Sequence, residues 1–201
     1  MFQYKLLIIL VFITDGLSKP LETPPERCCF PKRYSAKLQA TSKIVLPNGE
    51  TKTFIYEDED VHDLENGLIA RRGPTNNSIS TGISRSHYIF DFNNKVRYTI
   101  LSDQNLCLKD NIDYPFENCI SEYETYVDSS LYNQNGKEIL ADLWIARGYG
   151  LSYRKVSRDT CTVLETTFLG KTGESLTTIT SDFVEDIVDR SIFAIPQECN
   201  S

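Results

Sequence analysis

Between His87 and Cys107 the chain reads HYIFDFNNKVRYTILSDQNLC, and apolar residues recur at every second position on both sides of a central Asn-Asn. Tyr88, Phe90 and Phe92 share one side of the first arm. Val96, Tyr98 and Ile100 alternate with Arg97, Thr99 and Leu101 in the second. A period of two in aromatic and β-branched residues is the signature of a half-buried strand, because successive side chains of a strand point to opposite faces. Asn93-Asn94 supplies a turn, since asparagine tolerates positive φ better than most residues. A β-hairpin ending on a cysteine is therefore the unit around which the fold is expected to form.

The same punctuation continues along the chain. Tyr34 to Leu46 reads as a strand, Asn48-Gly49 as a hairpin turn, and Thr51 to Tyr56 as the returning arm. Residues 57–82, which open on Glu57-Asp58-Glu59-Asp60 and include Arg71-Arg72-Gly73-Pro74, read as a polar surface excursion. An irregular bridge is expected from Lys109 to Asp128. Asn135-Gly136 precedes Ile139 to Arg147, which is apolar on both faces: Ile139, Ala141, Leu143 and Ile145 alternate with Leu140, Trp144 and Ala146. Such a strand belongs in the middle of a fold. Further strands follow at Leu151 to Val156, Cys161 to Phe168 and Ser175 to Val184, with one short helix around Asp182 to Arg190. Strands at about ten-residue spacing predict an all-β domain, a sandwich or an open barrel.

The amino terminus fixes the expected compartment. Lys5 precedes eight apolar residues, Leu6 to Ile13, with small residues at Gly16 and Ser18. Eight residues are too few for a bilayer core about 30 Å thick, which takes roughly 20 in a helix. The pattern predicts a cleaved secretory signal over residues 1–18 and a single domain over 19–201, secreted and without a transmembrane anchor. Six cysteines then imply three disulfides, with 15 pairings open. Cys28 and Cys29 are adjacent and should reach two different partners. The sequon Asn76-Asn77-Ser78 predicts a glycan on Asn76.

A formal net charge of −7 with pI ≈ 4.9 excludes an electrostatic grip on nucleic acid. Catalytic patterns are missing: there is no H-E-x-x-H, G-x-S-x-G or P-loop, and His62 and His87 stand in no catalytic context. Gly148-Tyr149-Gly150 lacks the third glycine of a dinucleotide loop. In the acidic run from Glu57 to Glu65, Asp58 and Asp60 fit the first two ligand positions of a calcium loop, but Asp63 stands where glycine belongs. A solvated acidic loop is the reading favoured; if calcium binds, Asp58 and Asp60 are its expected ligands.

The order of aromatic hairpin, cysteine, Trp-bearing strand, Tyr-x-x-Val strand, cysteine and a closing Phe…Asp…Phe…Pro…Cys resembles the ependymins and ependymin-related proteins. The matching pieces are Tyr88 to Cys107, Leu140 to Trp144, Tyr153 to Val163, and Phe183 to Phe193 with Pro196 and Cys199; Cys29-Phe30-Pro31 looks like the opening Cys-x-Pro. Tyr34 and Ala36 stand near the places where the family usually carries tryptophan and glycine, and Cys28 and Cys119 are additional to the vertebrate pattern.

The resemblance implies two stacked antiparallel sheets forming a disulfide-stapled, open barrel-like sandwich around an apolar pocket. It also implies a secreted glycoprotein, often dimeric, linked to calcium, matrix and lipid. Carried onto this chain it pairs Cys29 with Cys161 and Cys107 with Cys199, leaving Cys28 for Cys119. The expected function is non-enzymatic carriage of a hydrophobic ligand such as a fatty acid or glycolipid. The alternative is an acidic, calcium-associated matrix or adhesion glycoprotein. The expected pocket walls are Tyr88, Phe90, Phe92 and Tyr98 on one side and Leu140, Leu143, Trp144 and Ile145 on the other.

Overall fold

A computed structural model describes residues 23–76 and 83–200 and contains eleven strands among them. They are β1 (Arg33–Val45), β2 (Thr51–Asp63), β3 (Leu68–Asn76), β4 (Ile83–Asp91), β5 (Val96–Leu101), β6 (Leu106–Asn111), β7 (Thr125–Gln134), β8 (Lys137–Arg147), β9 (Leu151–Ser157), β10 (Val163–Leu169) and β11 (Ser175–Val184). Of these, β3, β6 and β7 were not expected. The predicted signal peptide and the remainder of the Asn76 sequon lie outside the described residues.

All eleven strands belong to one antiparallel sheet, in the order β6-β5-β4-β3-β2-β1-β11-β10-β9-β8-β7. This replaces the two stacked sheets that were expected. The physical reason is the β1–β11 pair, in which Leu38 lies opposite Thr180 and Ala40 opposite Thr178. That pairing joins the two halves of the chain edge to edge.

The sheet is strongly bent. Flat, β3 and β9 would lie five strand spacings apart, about 24 Å. Yet Arg71 of β3 and Arg154 of β9 border the same cavity. Cross-strand partners point to the same face, so the register sorts the side chains into two sets. The concave face carries Leu38, Asp58, Asp60, Arg71, Arg154 and Thr178; the convex face carries Val61, Ala70, Ile89 and Tyr98.

Each end of the sheet buries a different face. On the convex side Val61, Ala70, Ile89 and Tyr98 form one continuous row across β2 to β5, covered by Ile187 and Ile192 of the C-terminal segment. On the concave side at the other end, Trp144 and Val156 pack against Ile120, Cys161 and the N-terminal strap at Cys28 and Phe30. Tyr98 is thus core on the convex face, separated by the pleat from Tyr88 and Phe90.

Three further expectations are corrected. The acidic run is not a loop: β2 continues through it to Asp63, because Asp60 and Glu59 sit opposite Arg71 and Arg72 of β3 and pair with them at 3.1 and 2.8 Å. No helix forms at 182–190; β11 runs to Val184, and a 3-10 turn follows at Arg190–Phe193, capped by the Asp189 side chain. The bridge from Lys109 is shorter than expected, since β6 ends at Asn111 and β7 begins at Thr125.

The disulfides are Cys28–Cys161, Cys29–Cys119 and Cys107–Cys199. The last agrees with the family resemblance, while the partners of Cys28 and Cys29 are exchanged. The strap runs antiparallel to residues 118–120, with Phe30 N donating to Asn118 O and Ile120 N to Cys28 O. That pattern makes Cys29 and Cys119 a non-hydrogen-bonded pair, where facing Cα atoms come nearest. Neighbours in an extended segment point to opposite sides. Cys28 therefore turns away from Cys119, towards Cys161 beside the start of β10.

Candidate ligand cavity on the concave face

The concave face is built from one side of β1, where Tyr34, Ala36, Leu38 and Ala40 alternate with Ser35, Lys37 and Gln39. Next to it, β11 and β10 contribute Thr178, Thr180 and Thr166 in register with Ala40, Leu38 and Arg154. Threonine suits a strand facing a partly polar space, because its branched Cβ fits the pleat while its hydroxyl finds local partners. The result is a cavity of about 270 Å³ with a threonine floor. Its apolar walls are Tyr34, Leu38, Ile69 and Phe183, and Phe30 of the strap closes over it.

Two more hollows adjoin it on the same face. One of 310 Å³ lies beyond Arg71, which borders both, and is walled by Tyr56, Tyr88 and Phe90. The other, of 320 Å³, shares Thr180, Val163 and Phe183 with the first and reaches Leu140. Ligand pockets commonly span roughly 300–1,000 Å³, so the hollows are individually small and jointly of ligand size.

The strap is firmly held. Arg27 donates to the carbonyls of Ser121, Glu122 and Glu124 and lies over the Trp144 ring. Arg154 of β9 pairs with the buried Glu124 carboxylate at 3.0 Å and stands against Phe30. Phe30 is thereby fixed at the cavity mouth by two disulfides and two arginines.

The polar group between the cavities is Asp60. Burial alone would raise its carboxyl, but the charges on His62 and Arg71 and the hydrogen bonds they make outweigh that and hold it below the usual carboxylate range. Tyr34 stacks on His62 with ring centroids 4.2 Å apart. Burial first, and then the Asp60 charge, push the Tyr34 hydroxyl above its ordinary range. Asp58, two residues along the same face, is shifted up: burial is the main cause, Arg71 opposes it and Asp60 adds to it.

The expected site residues fall into four groups. Tyr88, Phe90 and Leu140 line concave hollows. Phe92 stacks on Phe90 and packs against Phe116 at 4.7 Å and Tyr114 at 6.0 Å, closing that end of the sheet. Tyr98 is convex core, and Leu143 and Ile145 also point to the convex side, in register with Lys155 and Tyr153. Trp144 faces the concave side but is sealed beneath the strap, 3% exposed, and lines none of the three hollows. Among the described residues no group of three or more His, Cys, Asp or Glu side chains could hold a metal ion. Asp60 is already engaged by a guanidinium and an imidazole.

Tyr34, Leu38, Arg71, Arg154 and Phe183 were not anticipated as site residues. The alternation in β1 carried a signal for the first two. The others become neighbours only when β3, β9 and β11 are brought round one cavity.

A solved structure of an uncharacterized conserved protein from Thermus thermophilus is similar to this chain with a TM-score of 0.58 at 9% identity. The likeness covers 84% of this chain and 88% of that one. A LolA superfamily protein from Nitrosomonas europaea is also similar, at TM-score 0.37 and 7% identity, over 83% and 92% of the two chains. At these identities the likeness concerns the fold alone, and it is the Thermus protein that shares it. No curated protein sequence matches the chain. The family model described as Ependymin matches residues 81–199.

Proposed function

The chain belongs to the ependymin family, and from that premise we propose that it is a secreted, non-catalytic carrier of a hydrophobic ligand held against the concave face. The observation that carries this reading is the run of three adjoining hollows on one side of the sheet, capped by a cross-linked strap. The convex side at the β2–β5 end is filled by the C-terminal segment, and among the described residues the concave side has no such filling over β1, β10 and β11. An acyl chain laid on Leu38, Ile69 and Phe183 would gain about 0.8 kcal/mol for each methylene removed from water. Three disulfides support an oxidising compartment and hence secretion.

Thr178→Phe tests the reading by filling the cavity floor with a residue that suits a strand. Protein from a secretory host, purified without detergent, should carry lipid detectable by native mass spectrometry. The variant should fold and lose most of that lipid. Lipid-free protein that also takes up no added fatty acid, or equal loading of the variant, would refute the carrier.

A further inference from the structure

The hollow beyond Arg71 differs in chemistry from its neighbours. Its side walls are Tyr56 of β2 and Tyr88 and Phe90 of β4, and Asp58 lies between them. Asp58 is 6% exposed, yet its carboxylate makes no hydrogen bond to any described residue. Gly73 of β3 makes room for the Asp58 carboxylate itself. A Cβ there would stand 2.0 Å from Asp58 Oδ1 and 2.4 Å from the Glu57 carbonyl.

Neither guanidinium beside the hollow hydrogen-bonds to Asp58. Asp60 receives both Arg71 Nε and His62 Nε2, and Arg97 is bound to Asp110 at 2.8 Å. Asp58 is left as a desolvated carboxylate in an aromatic hollow, the combination that recognises an ammonium group. Arg71 has the complementary vacancy: it spends Nε on Asp60, and its Nη groups make no hydrogen bond among the described residues. Guanidinium Nη groups suit a phosphate or carboxylate. Arg71 lies opposite Asp60, and Asp58, two residues further along β2, shares that face. Diagonal neighbours of that kind are roughly 7–8 Å apart at the backbone, a span that side chains close to the separation of two charges within one head group.

We propose that this hollow is a head-group site for a zwitterion, with an ammonium against Asp58, Tyr56, Tyr88 and Phe90 and a phosphate against Arg71. The zwitterion is the polar end of the amphiphile whose apolar chain occupies the concave face, so the assignment rests on the carrier reading above.

Calorimetry with four twelve-carbon probes below their micelle concentrations tests it: dodecylphosphocholine, dodecyltrimethylammonium, dodecanoate and dodecyl maltoside. The phosphocholine should bind at least about tenfold more tightly than the maltoside. Asp58→Asn, which keeps the side-chain shape, should weaken the phosphocholine and trimethylammonium probes about tenfold and leave dodecanoate unweakened. Tyr88→Leu, which leaves every charge in place, should weaken the same two probes. Equal affinity for phosphocholine and maltoside, or an Asp58→Asn loss common to all four, would overturn the head-group site while the carrier stands. No binding of any probe would overturn both.

Discussion

His87 lies on the convex side of β4, with Nε2 2.7 Å from the carbonyl of Ile192. Burial lowers its affinity for a proton; the Ile192 carbonyl opposes this and Arg72 reinforces it. A histidine whose folded pKa is depressed contributes fully above its unfolded value of about 6.5 and loses that contribution as pH falls through the folded value. Unfolding free energy should therefore decline from about pH 6.5 downward. His87→Gln, which can still donate to Ile192, should flatten the decline between neutrality and pH 5 in urea titrations. An unchanged pH dependence in that variant would remove His87 from the account. Asp60 acts lower on the scale. Its depressed carboxyl contributes stability above the ordinary aspartate range near pH 4 and loses it in stronger acid. The sequence could put His87 on a strand. Its partner, 105 residues further on, could not be read from local pattern.

Among the elements, the strap around Cys29 is the one whose behaviour the sequence least foretold. Adjacent cysteines announced two partners, but which sulfur went where depended on Cys29 falling opposite Cys119 in a two-residue bridge. Opening Cys29–Cys119, with its sequence separation of 90, relaxes an unfolded-chain restraint of roughly 4–5 kcal/mol in the entropy model. The paired Cys29→Ser and Cys119→Ser variant should unfold at clearly lower urea while remaining folded in buffer, because Cys28–Cys161 and Arg27 still hold the strap. A midpoint equal to that of the parent protein would show that the bridge adds no stability. The hairpin of β4 and β5 was legible because its alternation was uninterrupted. The end of β2 and the whole of β3 were not. Glu57-Asp58-Glu59-Asp60 and Arg71-Arg72 each look like solvated loop until they are set side by side, when Glu59–Arg72 and Asp60–Arg71 become cross-strand ion pairs.

For the molecule as a whole, strand count and spacing gave the all-β class, while the joining of both halves through β1 and β11 came only from the structure. No alternation in either strand says which neighbour it will take. The two cores explain why both β4 and β8 read as central: each is buried on one face, by a different terminal segment. Leu140 and Trp144 share a face, yet one reaches a hollow and the other lies beneath the strap, so face alone did not define the site.

Strands β10 and β11 offer an internal control for a ligand on the concave side of this sheet. Thr166 and Thr178 are cross-strand partners on the concave face, while Thr167 and Thr177 are partners on the convex face one residue away. Methyl NMR of protein bound to a spin-labelled stearic acid reads both pairs at once. Ligand on the concave face should strongly broaden the Thr166 and Thr178 methyl signals and affect Thr167 and Thr177 much less. Preferential broadening of Thr167 and Thr177, or saturable binding that broadens neither pair, would contradict that placement.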